Sequence, residues 1–191
     1  MLDGTQRLFL GRELCVPRTC SLDGTRSSKG SPLPPFKLVK EIIHADFFDF
    51  SAIEHQLSGY NACFFCLGIS SVGVDGETYY KMTYTLTMHV AQTLSRLNSG
   101  MTFCYVSGGG TNENGRLRWA QVKGKTENDL TKLPFEQVFN FRPGFIKPLP
   151  GQKYAHQFYK YINWLFPIGR AIYPQGFCTM AELGQAMINT L

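Results

Sequence analysis

No stretch of this chain approaches the roughly 18 to 20 uninterrupted apolar residues that a membrane-spanning helix needs, and residues 1–30 lack the apolar block of a secretion signal. Charged residues are sparse, 17% of 191, and they form no dense basic stripe, which excludes the electrostatic footprint of a nucleic-acid binder. The net charge of +5 is concentrated toward the two ends and reads as ordinary surface lysine and arginine. His44, His55, His89 and His156 are scattered without metal-ligand spacing, so no metal is expected. At this length one domain with a real core is expected. These absences together set the expectation of a soluble, cytoplasmic protein.

Six cysteines are present: Cys15, Cys20, Cys63, Cys66, Cys104 and Cys178. Cys63, Cys66 and Cys104 lie inside apolar runs and read as free core thiols rather than disulfide partners. Cys63-Phe64-Phe65-Cys66 matches the C-x-x-C pattern, but on a strand side chains three apart point to opposite faces, which argues against a redox or metal role.

Residues 1–35 are rich in Gly, Ser, Thr, Arg and Pro, and the run from Gly24 to Pro35 predicts a poorly ordered arm without a long regular element. From Phe36 onward, short apolar runs alternate with helical patterns. Residues 41–45 read as a strand that stops at Asp46, and residues 51–57 as a short helix capped by Ser51. Residues 62–68 are continuously apolar, as in a strand buried on both faces. Residues 79–97 carry Met82, Leu86, Val90, Thr93 and Leu97 at helical spacing. Residues 102–107 form another buried strand, followed by Gly108-Gly109-Gly110. Residues 117–130 predict a helix carrying Trp119 and Lys123, and residues 137–141 a last strand closed by Arg142-Pro143-Gly144.

Strand and helix alternating at this period predict an α/β fold with a parallel sheet covered on both faces. In such sheets ligands sit beyond the carboxyl ends of the strands, so Asp46, Gly68, Ser107 and Pro143-Gly144 are expected to line one crevice. Tyr79, Tyr80 and Tyr84 follow the Gly68 loop and are either within its reach or, for Tyr84, in the core. Lys125 reads as a solvated helix charge paired with Glu127.

On these residues the chain resembles the short-chain dehydrogenase/reductase superfamily, in its atypical branch of NAD(P)-binding epimerase-like and TIP30-like proteins. The resemblance spans roughly residues 37–144, and more weakly the remainder to Leu191. It implies a Rossmann-like doubly wound parallel sheet, a dinucleotide (NAD or NADP) and a small-molecule substrate. By this resemblance His44-Ala45-Asp46-Phe47 is similar to the segment whose Asp addresses the adenine, and Phe65-Cys66-Leu67-Gly68 to the segment against adenosine and ribose. Tyr105-Val106-Ser107-Gly108-Gly109 is similar to the strand end bearing the catalytic Ser. Trp119 and Lys123 fall where a Tyr-x-x-x-Lys pair belongs, and Phe141-Arg142-Pro143-Gly144 resembles the segment that closes over the nicotinamide. The implied roles are Ser107, Trp119 and Lys123 at the reacting centre, with Asp46, Phe47, Leu67, Gly68, Lys123, Pro143, Gly144 and Phe145 around the cofactor.

Three departures from that pattern qualify the expectation. Trp119 has an indole N–H that donates a hydrogen bond but transfers no proton. Gly108 stands where related chains carry a further Ser, leaving Ser107 or Thr111 as substitutes. No G-x-G-x-x-G or G-x-x-G-x-x-G precedes Asp46, so the turn that brings backbone N–H groups and a helix N-terminus to a pyrophosphate is missing. The Rossmann-like domain, residues 36–191, is accordingly expected to be incomplete at its N-terminus, with residues 1–35 the product of truncation or a shifted reading frame. Three functions remain open: an NAD(P)-dependent oxidoreductase or epimerase-like enzyme, a nucleotide-sensing or partner-binding pseudoenzyme, and a peripheral membrane protein. The last rests on a stretch of aromatics, Phe158, Tyr161, Trp164 and Phe166 among them, interleaved with Lys153, Lys160 and Arg170 near residues 150–180, which otherwise reads as a substrate lid or core packing.

Overall fold

A computed structural model describes residues 6–11, 39–147 and 166–191. The chain forms two compact units, Met1–Tyr60 and Asn61–Leu191. In the first, strand β1 (Gln6–Gly11) pairs antiparallel with β2 (Val39–His44), in the register Gln6↔His44 through Gly11↔Val39. The period of two is visible in β2, where Ile42 is buried and Ile43 exposed. Phe47, Phe50, Ile53 and Leu57 are buried after it, and the His44 ring stacks on Phe47 and Phe50.

This unit departs from the expectation at three places. The strand near residues 41–45 forms, but it belongs to an antiparallel pair and not to the parallel sheet. Its partner lies inside the arm that was expected to be irregular, because Leu8-Phe9-Leu10 is an apolar run ahead of the Gly- and Pro-rich stretch, and a strand's N–H and C=O groups need a ladder. Residues 51–57 make only a turn and a short 3-10 helix, Glu54–Gln56. No side chain caps that 3-10 helix, Ser51 included; ahead of it the Asp49 carboxylate accepts the Ser51 N–H at 2.9 Å.

The second unit is mixed α/β. Strands β3 (Ala62–Phe65), β4 (Thr102–Val106) and β5 (Gln137–Phe141) form a parallel sheet in the order β3-β4-β5, with Phe65↔Tyr105 and Tyr105↔Asn140 in register. Central β4 is buried from Thr102 to Tyr105. Phe103 and Tyr105 point to one face and Cys104 to the other. Burying side chains as large as Phe103 on this strand and Leu86 and Leu130 on the helices contributes about 1.5–3 kcal/mol each, so strand and helices together anchor the unit. Among the described residues, β3 has no partner on its other edge.

Between β3 and β4 the chain runs through α1 (Gly76–Tyr80), a π-helical turn (Lys81–Thr85) and α2 (Leu86–Leu97). This helical run starts earlier than the apolar spacing suggested because the Asp75 carboxylate caps it, accepting from the N–H groups of Glu77 and Thr78. Helix α3 (Arg118–Leu130) joins β4 to β5 and packs beside α2. The Tyr105 face of β4 carries α3. On the other face the Cys104 thiol lies 3.4 Å from Thr190 Oγ1, just past the C-terminal helix. That end of the chain comprises α4 (Phe166–Ile172), a 3-10 turn (Pro174–Gly176), β7 (Phe177–Thr179) and α5 (Met180–Ile188), with β7 pairing parallel to β6 (Phe145–Lys147). Thr179 and Glu182 form a reciprocal capping box at the start of α5. No helix of the described residues is long and apolar enough to cross a membrane. Cys63, Cys66, Cys104 and Cys178 are free thiols.

One glycine fixes how the segment after β4 lies against α3. Gly124 is buried in the middle of the helix, and a Cβ there would come within 2.8 Å of Glu113 Cα and 2.9 Å of the Asn112 carbonyl carbon. Alanine normally improves a helix interior by about 1 kcal/mol over glycine. Gly124→Ala is instead expected to destabilise the chain by about 1–3 kcal/mol, because backbone and not a flexible side chain must move. Thermal denaturation checks this, and a raised Tm would contradict it.

Candidate functional site

The site is built by two hydrogen bonds that prolong the β4–β5 ladder past the strand ends. The Ser107 N–H donates to the Phe141 carbonyl and the Gly109 N–H to the Pro143 carbonyl, each at 2.7 Å. The approach is close at Gly109, where a Cβ would stand 3.2 Å from Gly144 Cα and the neighbouring backbone would have to give by a few tenths of an ångström. A tight turn follows, in which the Thr111 hydroxyl donates to the Gly108 carbonyl at 2.7 Å. Thr111 has a single hydroxyl proton, so across the 3.1 Å contact between the two hydroxyls Ser107 is the donor. The Ser107 hydroxyl is buried and its proton is committed to Thr111.

Helix α3 brings Trp119 and Lys123 to the same end of the sheet, one turn apart on one face. The six-membered ring of Trp119 covers the glycine turn: a Cβ on Gly108 would lie 3.6 Å from Trp119 Cζ3, and one on Gly110 3.8 Å from Cη2. The Lys123 ammonium donates to the Val106 carbonyl at 3.3 Å and stands 5.4 Å from the centre of the Tyr105 ring. Burial pushes the Lys123 amine below its ordinary value, and the Glu127 carboxylate one turn on opposes that shift.

Glu127 is 2% exposed, and its carboxylate receives the Arg142 guanidinium through both Nε and Nη2. This fork ties α3 to the residue that precedes Pro143. Beside it opens a polar cavity of about 390 Å³, lined by Thr111, Asn112, Asn128 and Arg142 among others. The pairing of Lys125 with Glu127 expected from the sequence is not made. Lys125 bonds Asp129 at 2.8 Å, one turn further along the outer face, whereas Glu127 is two residues from Lys125 and so faces inward.

Ser107, Trp119, Lys123, Pro143 and Gly144 therefore come together at the carboxyl ends of β4 and β5. Leu67 and Gly68 are exposed just beyond β3, at the same end of the sheet by the parallel register, and a Cβ on Gly68 would meet nothing within 4 Å. Phe145 opens β6 and packs on Phe166 and Phe177. Asp46 and Phe47 lie in the first unit, where the Asp46 carboxylate accepts the Phe48 N–H at 2.8 Å and Phe47 is buried. Of the three tyrosines, Tyr79 is buried, Tyr80 stacks against Tyr84, and the Tyr84 hydroxyl donates to Asp129. Residues 148–165, which include most of the expected aromatic lid, lie outside the described residues. Among the described residues no three His, Cys, Asp or Glu side chains are grouped to hold a metal.

Sequence reasoning missed the Glu127–Arg142 pair and the role of Gly124. A signal for Glu127 existed in its position i+4 from Lys123, but Arg142 comes from a different element and carries no local pattern.

Tyr105, beneath Lys123, gives the site a pH signature. Burial raises its phenol well above the ordinary value, and Tyr79 and Glu127 raise it further. In the unfolded chain the same phenol ionises at about pH 10. The stability it carries is thus complete below about pH 10 and lost as pH rises beyond it. In urea titrations between about pH 8 and 11, Tyr105→Phe is expected to flatten that decline relative to the parent; parallel declines would rule the assignment out.

No family model matches this chain. It is similar to Protein FMP52-2, mitochondrial, of Scheffersomyces stipitis, with 31% identity over 125 residues that cover 63% of this chain and 54% of that protein. The chain thus spans about half the length of the curated relative it matches.

Proposed function

We propose that this chain is an NAD(P)-binding protein of the short-chain dehydrogenase/reductase type, with a Rossmann-like fold, whose site binds a nucleotide without performing efficient proton transfer. The observation that carries this reading is the convergence of Ser107, Lys123 and Pro143-Gly144 at the carboxyl ends of two parallel strands, with Trp119 one helical turn before the lysine.

The residues fit one half of such a cofactor. Lys123 would hold ribose hydroxyls, the backbone around Pro143 and Gly144 would meet the nicotinamide, and Ser107 would orient a substrate oxygen. NAD(P) when bound supplies or accepts a hydride. For the pyrophosphate half the fit fails in the given residues: no G-x-G-x-x-G or G-x-x-G-x-x-G precedes Asp46, and the helix N-terminus that follows β3 is already filled by the Asp75 carboxylate, where a phosphate would meet like charge. Binding is accordingly expected to be weak and carried by the nicotinamide end.

Two features favour binding over turnover. Trp119 supplies no transferable proton, and a positioned acid or base is worth roughly 10²–10⁴ in rate. The Ser107 proton points to Thr111 rather than outward. The loss is one of side chains only: Gly108 has an ordinary backbone conformation, and a Cβ there meets Trp119, Lys123 and Thr111 at 3.6–3.9 Å, within normal contact distance.

Titration of NADPH and NADH against the purified chain, read as energy transfer from Trp119 and Trp164, is expected to show saturable binding. Its absence, both here and in a chain supplied with a glycine-rich strand-turn-helix, would sink the proposal. Gly108→Ser combined with Trp119→Tyr is expected to raise NADPH oxidation with carbonyl substrates above that of the parent, and an equal rate in the two would count against the assigned roles. A cytoplasmic location is part of the same proposal; the name of the similar yeast protein carries a mitochondrial one, and cell fractionation separates them.

A second reading, peripheral association with an anionic membrane, draws on Ile168 and Ile172, which stand i, i+4 on α4 at 50% and 79% exposure. It predicts salt-sensitive co-sedimentation with phosphatidylserine vesicles that Ile168→Asp/Ile172→Asp abolishes; equal recovery in the supernatant with and without vesicles would exclude it.

A further inference from the structure

Lys123 and Glu127 are one turn apart on α3, a spacing at which lysine and glutamate ordinarily pair. They do not pair here. The Lys123 ammonium reaches the Val106 carbonyl, and Glu127 is taken by the fork of Arg142. A carboxylate as buried as Glu127 requires a cation, since leaving it bare is far costlier than the pair is favourable. Two cations are near enough to serve, and the choice between them decides where the lysine sits.

We propose that Glu127 and Arg142 are positioning residues: by satisfying Glu127, Arg142 leaves the Lys123 ammonium free to stay at the carboxyl end of β4, beside Ser107. The surroundings of Lys123 are complete for this purpose. From β4 it meets the Val106 carbonyl and the Tyr105 ring, from the turn after β4 it meets Gly108, and from its own helix it faces Trp119 and Glu127. Arg142 acts on it only through Glu127. The fork matters as much as the charge, because both carboxylate oxygens are engaged and neither is left to attract the lysine. The arrangement concerns the site proposed to hold a nucleotide, but it needs none bound, so it stands or falls separately from that reading.

The ionisation of Lys123 reports its position. Lysines of the full chain are reductively dimethylated with ¹³C-formaldehyde and a borohydride as hydride donor, their NMR signals are followed with pH, and the Lys123 signal is assigned by its loss in Lys123→Arg. In Arg142→Gln the bare Glu127 draws the ammonium away from Val106, and Lys123 titrates at higher pH than in the parent. In Glu127→Gln the carboxylate that opposes the effect of burial is gone, and Lys123 titrates at lower pH. Arg142→Lys keeps the charge without the fork and falls between the parent and Arg142→Gln. General loosening would expose the amine and move every variant upward, so an upward or absent shift in Glu127→Gln overturns the proposal. If Glu127→Gln does not give a cooperative thermal transition, Arg142→Lys decides, and a Lys123 titration identical to the parent's overturns it.

Discussion

The β4–β5 ladder does not stop where the strands do. Ser107 and Gly109 go on donating to carbonyls of the segment after β5, and each contact at this end of the sheet depends on that continuation. It sets the Gly108–Gly110 turn against Pro143 and Gly144, which gives the Trp119 ring a flat backbone surface to cover. It leaves the Val106 carbonyl in reach of Lys123 and draws Arg142 over the buried end of α3. Because β4 is buried along its length, this edge is held by the core of the unit rather than by surface contacts.

Electrostatics then sort the charges that the ladder brings near. An inner set, Lys123, Glu127 and Arg142, centres on the buried Glu127 carboxylate, which Arg142 reaches from an exposed position, and its members are interdependent. An outer set, Lys125, Asp129, Lys132 and Tyr84, is mostly solvated, and its pairs contribute little to stability while fixing the side on which α3 faces water. On α3 itself Lys123 and Glu127 of the inner set and Lys125 and Asp129 of the outer set lie within seven residues and are separated only by the helix's periodicity.

How much of this was legible in the sequence follows from the range of each interaction. The strands at Thr102–Val106 and Gln137–Phe141 and the helix at Arg118–Leu130 were readable because apolar runs and helical spacing are local properties, and so was the meeting of Ser107 with Pro143-Gly144 that parallel topology implies, whereas Lys123 was expected there from the resemblance. The partner of β2 was not readable: an antiparallel ladder between residues 6–11 and 39–44 is a long-range pairing, hidden by the Gly- and Pro-rich stretch between them. The inward turn of Glu127 was equally hidden, since a run of Lys, Glu and Asp looks solvated until its partner arrives from beyond β5. Gly124 gave no sign at all, because the backbone that excludes a side chain there belongs to another segment.

The π-helical turn at Lys81–Thr85 carries a consequence of a different kind. Such a turn holds one residue more than an α-turn, so the helix on its two sides is out of phase by about 100° relative to an uninterrupted one. On a regular helix Tyr79, Thr83, Leu86, Val90 and Leu94 would share one stripe; with the extra residue, Tyr79 ahead of the turn and Thr83 within it are buried on one face and Leu86, Val90 and Leu94 beyond it on an adjoining one. The wide turn absorbs that residue: a chain shorter by one would run through as a regular helix with the part beyond Thr85 facing as it does now.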